Sequence, residues 1–395
     1  MTSPRLAYVC ADPGIPPDGT KGASVHFREL GRALEASGID VTAVTRRPPA
    51  GEWTDFRLHS ASAGKSRERD QVAAELGDLI DQREVTDLLR AAPSFDAVYE
   101  RYSLFGLAGL RFARSAGIPF FLEVNAPLWE EARTYRSLVL AGLAHSVARE
   151  LMTHATRVLV VSEGMRDRVI DEGVDPDHVV VFPNGVAPAF LEPIRPADRP
   201  EALEGRTVIT FIGSLKPWHG VDMLLDAFLD LPERLDVALW VVGDGPEADR
   251  VDAAANRHPR RIVRTTAVPH EMVPSVLRAS DLTVAPYTRE SPSYFCPLKV
   301  IEAFAVGVPL LASDVPAVRR LDLRGLTYHA FEPGCASSFR SAVEKIVPQM
   351  DAVRQRAAMN REAVQERFTW TRRAEELKSM MTEWRLASSR HDEVA

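Results

Sequence analysis

Short apolar runs alternate with longer stretches of helical spacing, and this alternation leaves few folds open to the chain. Residues 6–10, 41–45, 97–100, 120–124, 157–161 and 179–182 read as buried strands. Between the first two, residues 25–37 place Val25, Leu30 and Leu34 on one helical face, and Gly38 ends the run. Residues 70–90 and the stretch up to Glu172 have the same helical spacing. Strands separated by helices must run parallel, because the crossover returns the chain to the same sheet edge. The predicted class is therefore α/β, with a doubly wound parallel sheet. The alternation breaks at LEPIRPADRPEALEG, a stretch rich in Pro and charge that reads as an interdomain linker. It then restarts, with strands at 208–213, 237–242, 262–265, 282–286 and 309–313. Helices are expected at 222–231, 248–257, 272–279, 297–306 and 337–367, and the tail FTWTRRAEELKSMMTEWRLA gives one more before a polar end. We expect two Rossmann-like units, at 1–195 and 205–368, with a last helix near 370–388.

Bulk properties agree and exclude several classes. A chain of 395 residues exceeds one ordinary core. With 45% hydrophobic and 26% charged residues it is globular rather than disordered. A net charge of −7 argues against nucleic acid as a partner. Cys10, Cys296 and Cys335 have no metal-ligand spacing, and sparse, odd cysteines fit a reducing compartment. The start MTSPRLAYVCADPG lacks the pattern of a signal peptide, and no apolar run is long enough to span a bilayer. The expectation is a cytoplasmic protein. Residues 132–149, with Arg133, Arg136 and Arg149, suit either peripheral membrane contact or a solvated or core-packed helix.

Neither half carries GxGxxG after its first strand; the first has GTKGAS and the second GSLKPWHG. There is no GxxxxGK[ST], no GxSxG, and neither HExxH nor CxxC. A dinucleotide oxidoreductase, a P-loop NTPase and an acyl hydrolase are disfavoured, and no metal is inferred. In open parallel sheets ligands sit beyond the carboxyl ends of strands. Gly22, His26, Glu100, Arg101, Asn125, Ser162 and Asn184 all follow or end strands of the first half and are expected on one rim. In the second half, YTRESPSYFCP opens onto the helix bearing Lys299 and Glu302. A loop feeding a helix N-terminus aims free N–H groups and a positive dipole end at one spot, which suits phosphate. Lys299 adds a point charge and Glu302 an acceptor for a sugar diol; the competing reading is a surface lysine and a solvated glutamate.

Four stretches in this order carry a resemblance: GASVHFRELGRAL, PNGV, GSLKPWHGVDMLLDAF with VVGDGPE, and CPLKVIEAFAVGVPLLASD. Together they resemble the family 4 glycosyltransferases of the GT-B fold, across nearly the whole chain. The resemblance implies two Rossmann-like domains facing each other across a cleft, with a closing helix crossing back onto the first. It implies retaining, metal-independent sugar transfer from a nucleotide-diphosphate sugar on the second domain to a hydroxyl acceptor on the first. Glu302 matches the second glutamate of the family's E-x7-E motif, which holds ribose hydroxyls. The first falls at Tyr294, which is not a carboxylate. The backbone around Phe295, Cys296, Pro297, Leu298 and Lys299 is implied to cradle the diphosphate. GSLKPWHG stands where the family has a G-R-L…K-G clamp, with Ser214 and His219 in place of its Arg and Lys beside Gly213. Lys216 and Lys299 are then expected to carry the diphosphate charge, with His219 helping, and to form with Glu302 the catalytic set.

Gly243 and Gly245 match a turn under the nucleotide, and Thr266, Ala267 and Val268 the segment whose backbone reads the base. Gly22 and Ala23 match the loop approaching donor and acceptor. His26, Glu100, Arg101, Glu123 and Asn125 are candidates for acceptor contact. Domain closure about residues 191–205 would assemble the site. A UDP- or GDP-sugar is the expected donor; the acceptor, whether glycan, lipid-linked or small metabolite, is left open, as is a monomer or homodimer. No cofactor is expected. The alternatives are a GT-B epimerase, an inverting transferase using Glu100, Glu123 or His26 as base, and a non-catalytic binding subunit.

Overall fold

The computed structural model describes residues 3–61, 70–135 and 137–392, and the chain divides into two compact units. Unit 1 is Met1–Gly185 with Trp370–Ala395, and unit 2 is Val186–Thr369.

Unit 1 is built on a parallel sheet of β1 (Arg5–Cys10), β2 (Asp40–Thr45), β3 (Arg57–Ser60), β4 (Ala97–Arg101), β5 (Phe120–Val124), β6 (Arg157–Val160) and β7 (Val179–Val181). Their order is β3-β2-β1-β4-β5-β6-β7, so the winding reverses between β1 and β4. The strands in the middle of the sheet are apolar because helices cover both faces. β3, at the edge and mostly half-exposed, carries no such run and was invisible in the pattern. The single helix expected over 70–90 is two helices, Gln71–Ile80 and Gln82–Ala91.

The last helix, Trp370–Asp392, packs in unit 1. Trp370, Ala374, Leu377 and Met381 fall on one face and are buried with Phe27, Leu30 and Leu34 of the Gly22–Ala36 helix. Lys378 fixes the pairing by donating from Nζ to the Ser37 carbonyl at 2.6 Å. The polar end expected beyond this helix is helical as far as Asp392, and 393–395 lie outside the described residues. The stretch considered for membrane contact is two helices, Leu128–Tyr135 and Ala141–His154, and Arg136 lies outside the described residues. Val147, Ala148, Leu151 and Met152 are buried in the core, while Val139 and Leu143 of the same stretch are exposed. No described helix is long and apolar enough to cross a membrane.

Unit 2 repeats the scheme with β8 (Thr207–Ile212), β9 (Val237–Val242), β10 (Ile262–Thr265), β11 (Leu282–Ala285), β12 (Leu310–Ser313) and β13 (His329–Phe331). The order is β10-β9-β8-β11-β12-β13, and the switch falls between β8 and β11. The loops that follow these two strands are therefore the place for a ligand. The long helical run expected over 337–367 breaks into Ala336–Ile346, Met350–Ala358 and Asn360–Arg367, the first break lying at a turn that contains Pro348.

The Pro-rich stretch read as a linker is not one. Ala197 N–H donates to the Ser275 carbonyl at 2.9 Å, and Arg199 binds the Ala279 carbonyl and Asp281. Phe190, just before it, and Leu203, near its end, are wholly buried in unit 2. Composition marked the segment as surface chain, but two apolar anchors hold it down.

Candidate functional site

At the switch of unit 2, the loop after β8 carries Gly213, Ser214, Lys216 and His219, and the loop after β11 leads to the helix Leu298–Val306. That helix starts at Pro297 with no side-chain cap and no acidic residue in its first turn. Its positive end is thus uncompensated. Lys299 lies in the first turn, yet its side chain is folded inward. Nζ sits 4.4 Å from the centre of the Phe211 ring and 5.3 Å from that of Tyr287. The ammonium is buried and has no hydrogen-bond partner among the described residues. Burial pushes it down to about 7, against the opposing pull of Glu302. The aromatic faces attract a cation, but far less than a buried ammonium loses in leaving water. The group is placed for an anion. A Cβ at Gly213 would lie 3.3 Å from this nitrogen, so the backbone approaches the charge where a side chain would crowd it.

The rest of the expected clamp differs in charge. His219 is pushed down to about 3, chiefly by burial and then by Lys299. Its Nδ1 meets the Ser214 carbonyl, which only accepts, so Nδ1 carries the proton and Nε2 a lone pair. His219 is therefore a neutral loop brace in this structure and supplies no positive charge, against expectation. Lys216 is exposed, 4.7 Å from the centre of the Trp218 ring. Of the backbone groups expected in the cradle, Leu298 N–H is already used by the Cys296 carbonyl at 2.9 Å. Tyr294, Phe295 and Cys296 are half-buried in the loop, and Phe295 packs at a tilt against Tyr287 with ring centres 4.9 Å apart.

Beneath this loop the ends of β8, β9 and β10 are laced together. Leu215 N–H donates to the Asp244 carbonyl and Gly243 N–H to that of Thr265. Gly243 has φ of 155°, and a Cβ there would fall 1.9 Å from the Gly213 carbonyl oxygen. Gly243 supports the loop that holds Lys299's neighbours and admits no other residue. Beyond β10, Thr266 and Ala267 are exposed and Val268 is half-buried. Next comes a residue that the sequence reading passed over. His270 Nε2 lies 3.0 Å from Oε1 of Glu302. Its only signal was its place behind Pro269 at a short helix start.

Unit 1 sorts its candidates by strand face. In the sheet register Tyr8 lies beside Tyr99, Cys10 beside Arg101, and Arg101 beside Glu123. Neighbours in register share a face, so Arg101 and Glu123 point together toward His26. His26 Nε2 is 2.8 Å from Glu123 Oε1, and Arg101 is 3.5 Å from Glu123 and 3.4 Å from His26 Nδ1. A guanidinium only donates and a carboxylate only accepts. The imidazole is thus neutral, protonated on Nε2. Burial lowers His26 despite Glu123, while His26 and Arg101 outweigh burial and hold Glu123 low. Trp370 covers His26, with ring centres 4.5 Å apart.

Three expectations fail here. His26 and Glu123 are sealed below the surface rather than on a rim. Glu100, one residue from Arg101, faces the other side of the sheet against Gly109 of the Ala108–Ala116 helix and is 0% exposed. Burial raises its carboxyl to about 8. Ser162 caps the next helix by accepting from Met165 N–H. Gly22 is exposed, and Ala23 and Asn125 are half-buried. Among the described residues no group of three or more His, Cys, Asp or Glu is placed to hold a metal ion.

Comparisons with known proteins align with both units. The model of the glycosyl transferase 4-like domain matches residues 21–185, and that of glycosyl transferases group 1 matches residues 206–349. The chain is 25% identical to alpha-maltose-1-phosphate synthase of Mycolicibacterium smegmatis, over 91% of this chain and 95% of that protein. It is 28% identical to a D-inositol 3-phosphate glycosyltransferase of Jonesia denitrificans, over 79% and 80%. Among solved structures, sucrose-phosphate synthase from Thermosynechococcus elongatus superposes with a TM-score of 0.76 at 18% identity, over 97% of this chain and all of that one. Anabaena HepE in complex with UDP-glucose gives 0.68 at 15%, over 96% and 99%.

Proposed function

The chain belongs to the family 4 glycosyltransferases of the GT-B fold, and from that premise we propose that it uses a nucleoside-diphosphate sugar, a UDP-sugar first, and transfers the glycosyl group to a hydroxyl acceptor with retention and without a metal ion. The observation that carries the reading is Lys299, a buried ammonium without a hydrogen-bond partner among the described residues, beside Gly213 and the open N-terminus of Leu298–Val306. A diphosphate supplies the missing countercharge. As the C1–O bond to the phosphate breaks, negative charge grows on the leaving diphosphate, and Lys299 with the helix end stabilises it. The acceptor oxygen bonds C1 from the same face, and its proton passes to the leaving diphosphate. Glu302 receives the ribose hydroxyls. Thr266 to Val268 line the base through their backbone, and Tyr294 stands near the transferred sugar in place of a carboxylate.

Retention is supported by what unit 1 withholds. Glu100 faces away from the rim, His26 spends its lone pair on Arg101, and Glu123 is tied to both. An inverting enzyme needs a free base at the acceptor hydroxyl. We take the acceptor to be a hydroxylated small molecule or glycan; two similar proteins bear names built on sugar and inositol phosphates. No further cofactor is proposed, and the place of action is the cytoplasm.

The test is a thermal-shift screen over UDP-, GDP- and ADP-sugars, followed by turnover with the best donor and proton NMR of the product anomer. Stabilisation by one nucleotide class and a product of unchanged anomeric configuration are expected. If no nucleotide sugar is bound or turned over, the donor reading is lost; an inverted product removes retention.

A further inference from the structure

Glu302 does not stand alone. Its side chain is only 14% exposed, and Oε1 meets His270 Nε2 at 3.0 Å. A carboxylate accepts and cannot donate, so Nε2 carries the proton. Oε2 has no protein hydrogen bond among the described residues. The imidazole is held from another direction by Phe190, with ring centres 5.2 Å apart, and Phe190 is itself 0% exposed. The position of the ring along the chain is fixed as well. Pro269, with φ of −55°, precedes a one-turn helix, His270–Met272, and Met272 N–H returns to the Pro269 carbonyl. Just upstream lie the exposed Thr266 and Ala267 and then Val268, which packs on the core.

We propose that His270 is a positioning residue for nucleoside recognition: it turns one oxygen of Glu302 inward so that the other is presented to the ribose hydroxyls, and it locks that carboxylate to the segment lining the base. The inference rests on the donor reading above. It assigns His270 no contact with substrate. A free glutamate at the second turn of a helix samples several rotamers, and one that is hydrogen-bonded and wedged samples fewer. The ligand then meets a carboxylate already aimed, which lowers the entropic cost of binding. Base and ribose readings become coupled, because one rigid piece carries both.

Two substitutions separate the hydrogen bond from the shape. His270→Phe keeps a ring against Phe190 and removes the donor. His270→Gln keeps an N–H near the position of Nε2 and removes the ring. Calorimetric titration of the full chain with UDP and with 2′-deoxy-UDP is the measurement. We expect His270→Phe to weaken UDP about tenfold, the scale of one hydrogen bond to a charged group, and to leave 2′-deoxy-UDP almost unchanged. The ribose preference therefore collapses. His270→Gln is expected to retain most of that preference. In turnover, His270→Phe raises KM for the donor and spares kcat. An unchanged ribose preference in His270→Phe overturns the proposal, and so does an equal loss in both variants, which signals shape alone. If the parent chain binds neither UDP nor a UDP-sugar, the donor reading itself fails and the inference falls with it; binding by the parent confines any failure to His270.

Discussion

Replacing Lys299 by Met separates what the residue does for the fold from what it does for the ligand. Met has nearly the same length and fits between Phe211 and Tyr287 without a polar atom. The lysine falls from 10.5 in the unfolded chain to about 7 in the fold. Between those values the unfolded chain binds more protons, so the stability of the parent rises with pH across this window. At about 1.4 kcal/mol per pH unit, the buried charge costs on the order of 4 kcal/mol at pH 7 and nothing above pH 10.5. Lys299→Met removes that cost. The melting temperature at pH 7 should rise by roughly 8–16 °C, taking 2–4 °C per kcal/mol for a unit of this size. The difference between the two proteins should shrink toward pH 9–10. Donor binding moves the other way: loss of a charge-assisted contact to the diphosphate should weaken UDP on the order of a hundredfold. Lys216→Met, at an exposed position over Trp218, is the comparison and should change UDP affinity only a few-fold. Differential scanning fluorimetry over pH with and without UDP, together with calorimetry, measures all of this. A lowered melting temperature in Lys299→Met would show that the ammonium already has its countercharge. Unchanged UDP affinity would place the diphosphate elsewhere.

Glu100 offers a titration of opposite sign. Its carboxyl is raised by burial from 4.5 to about 8, so the folded state holds a proton that the unfolded chain has lost, and stability falls as pH rises from 4.5 through 8. Glu100→Gln keeps the shape and should flatten that decline in urea melts, by several kcal/mol at pH 8.5. Gly243→Ala drives a Cβ to 1.9 Å from the Gly213 carbonyl; UDP binding should be lost while far-ultraviolet circular dichroism stays near parental. Trp370→Ala uncovers His26 and empties a core position, at a cost of about 3–5 kcal/mol in unfolding experiments.

Apolar runs, their spacing and the punctuation by Gly and Pro were enough to give two parallel sheets, because local hydrophobic period is a property of the chain itself. The positions of Glu302, Lys299 and the Gly213 loop followed from their places after strands. Three things did not follow. Which face of β4 a residue takes is a matter of register and alternation, and it sent Glu100 away from the rim while bringing Arg101 to Glu123 and His26. The Pro-rich stretch looked like a free linker until Phe190 and Leu203 were seen in the core of unit 2. Charge state was the third. The sequence offers Lys216 and Lys299 as the cations, with His219 helping, but burial makes His219 neutral and leaves Lys299 without a hydrogen-bond partner among the described residues, while Lys216 stays in water. His270 meets Glu302 across thirty-two positions of chain, through Phe190 and a turn that no local pattern encodes. The sequence determines which groups exist and where along each strand they emerge; desolvation and partnership, which only packing creates, decide what each group can do.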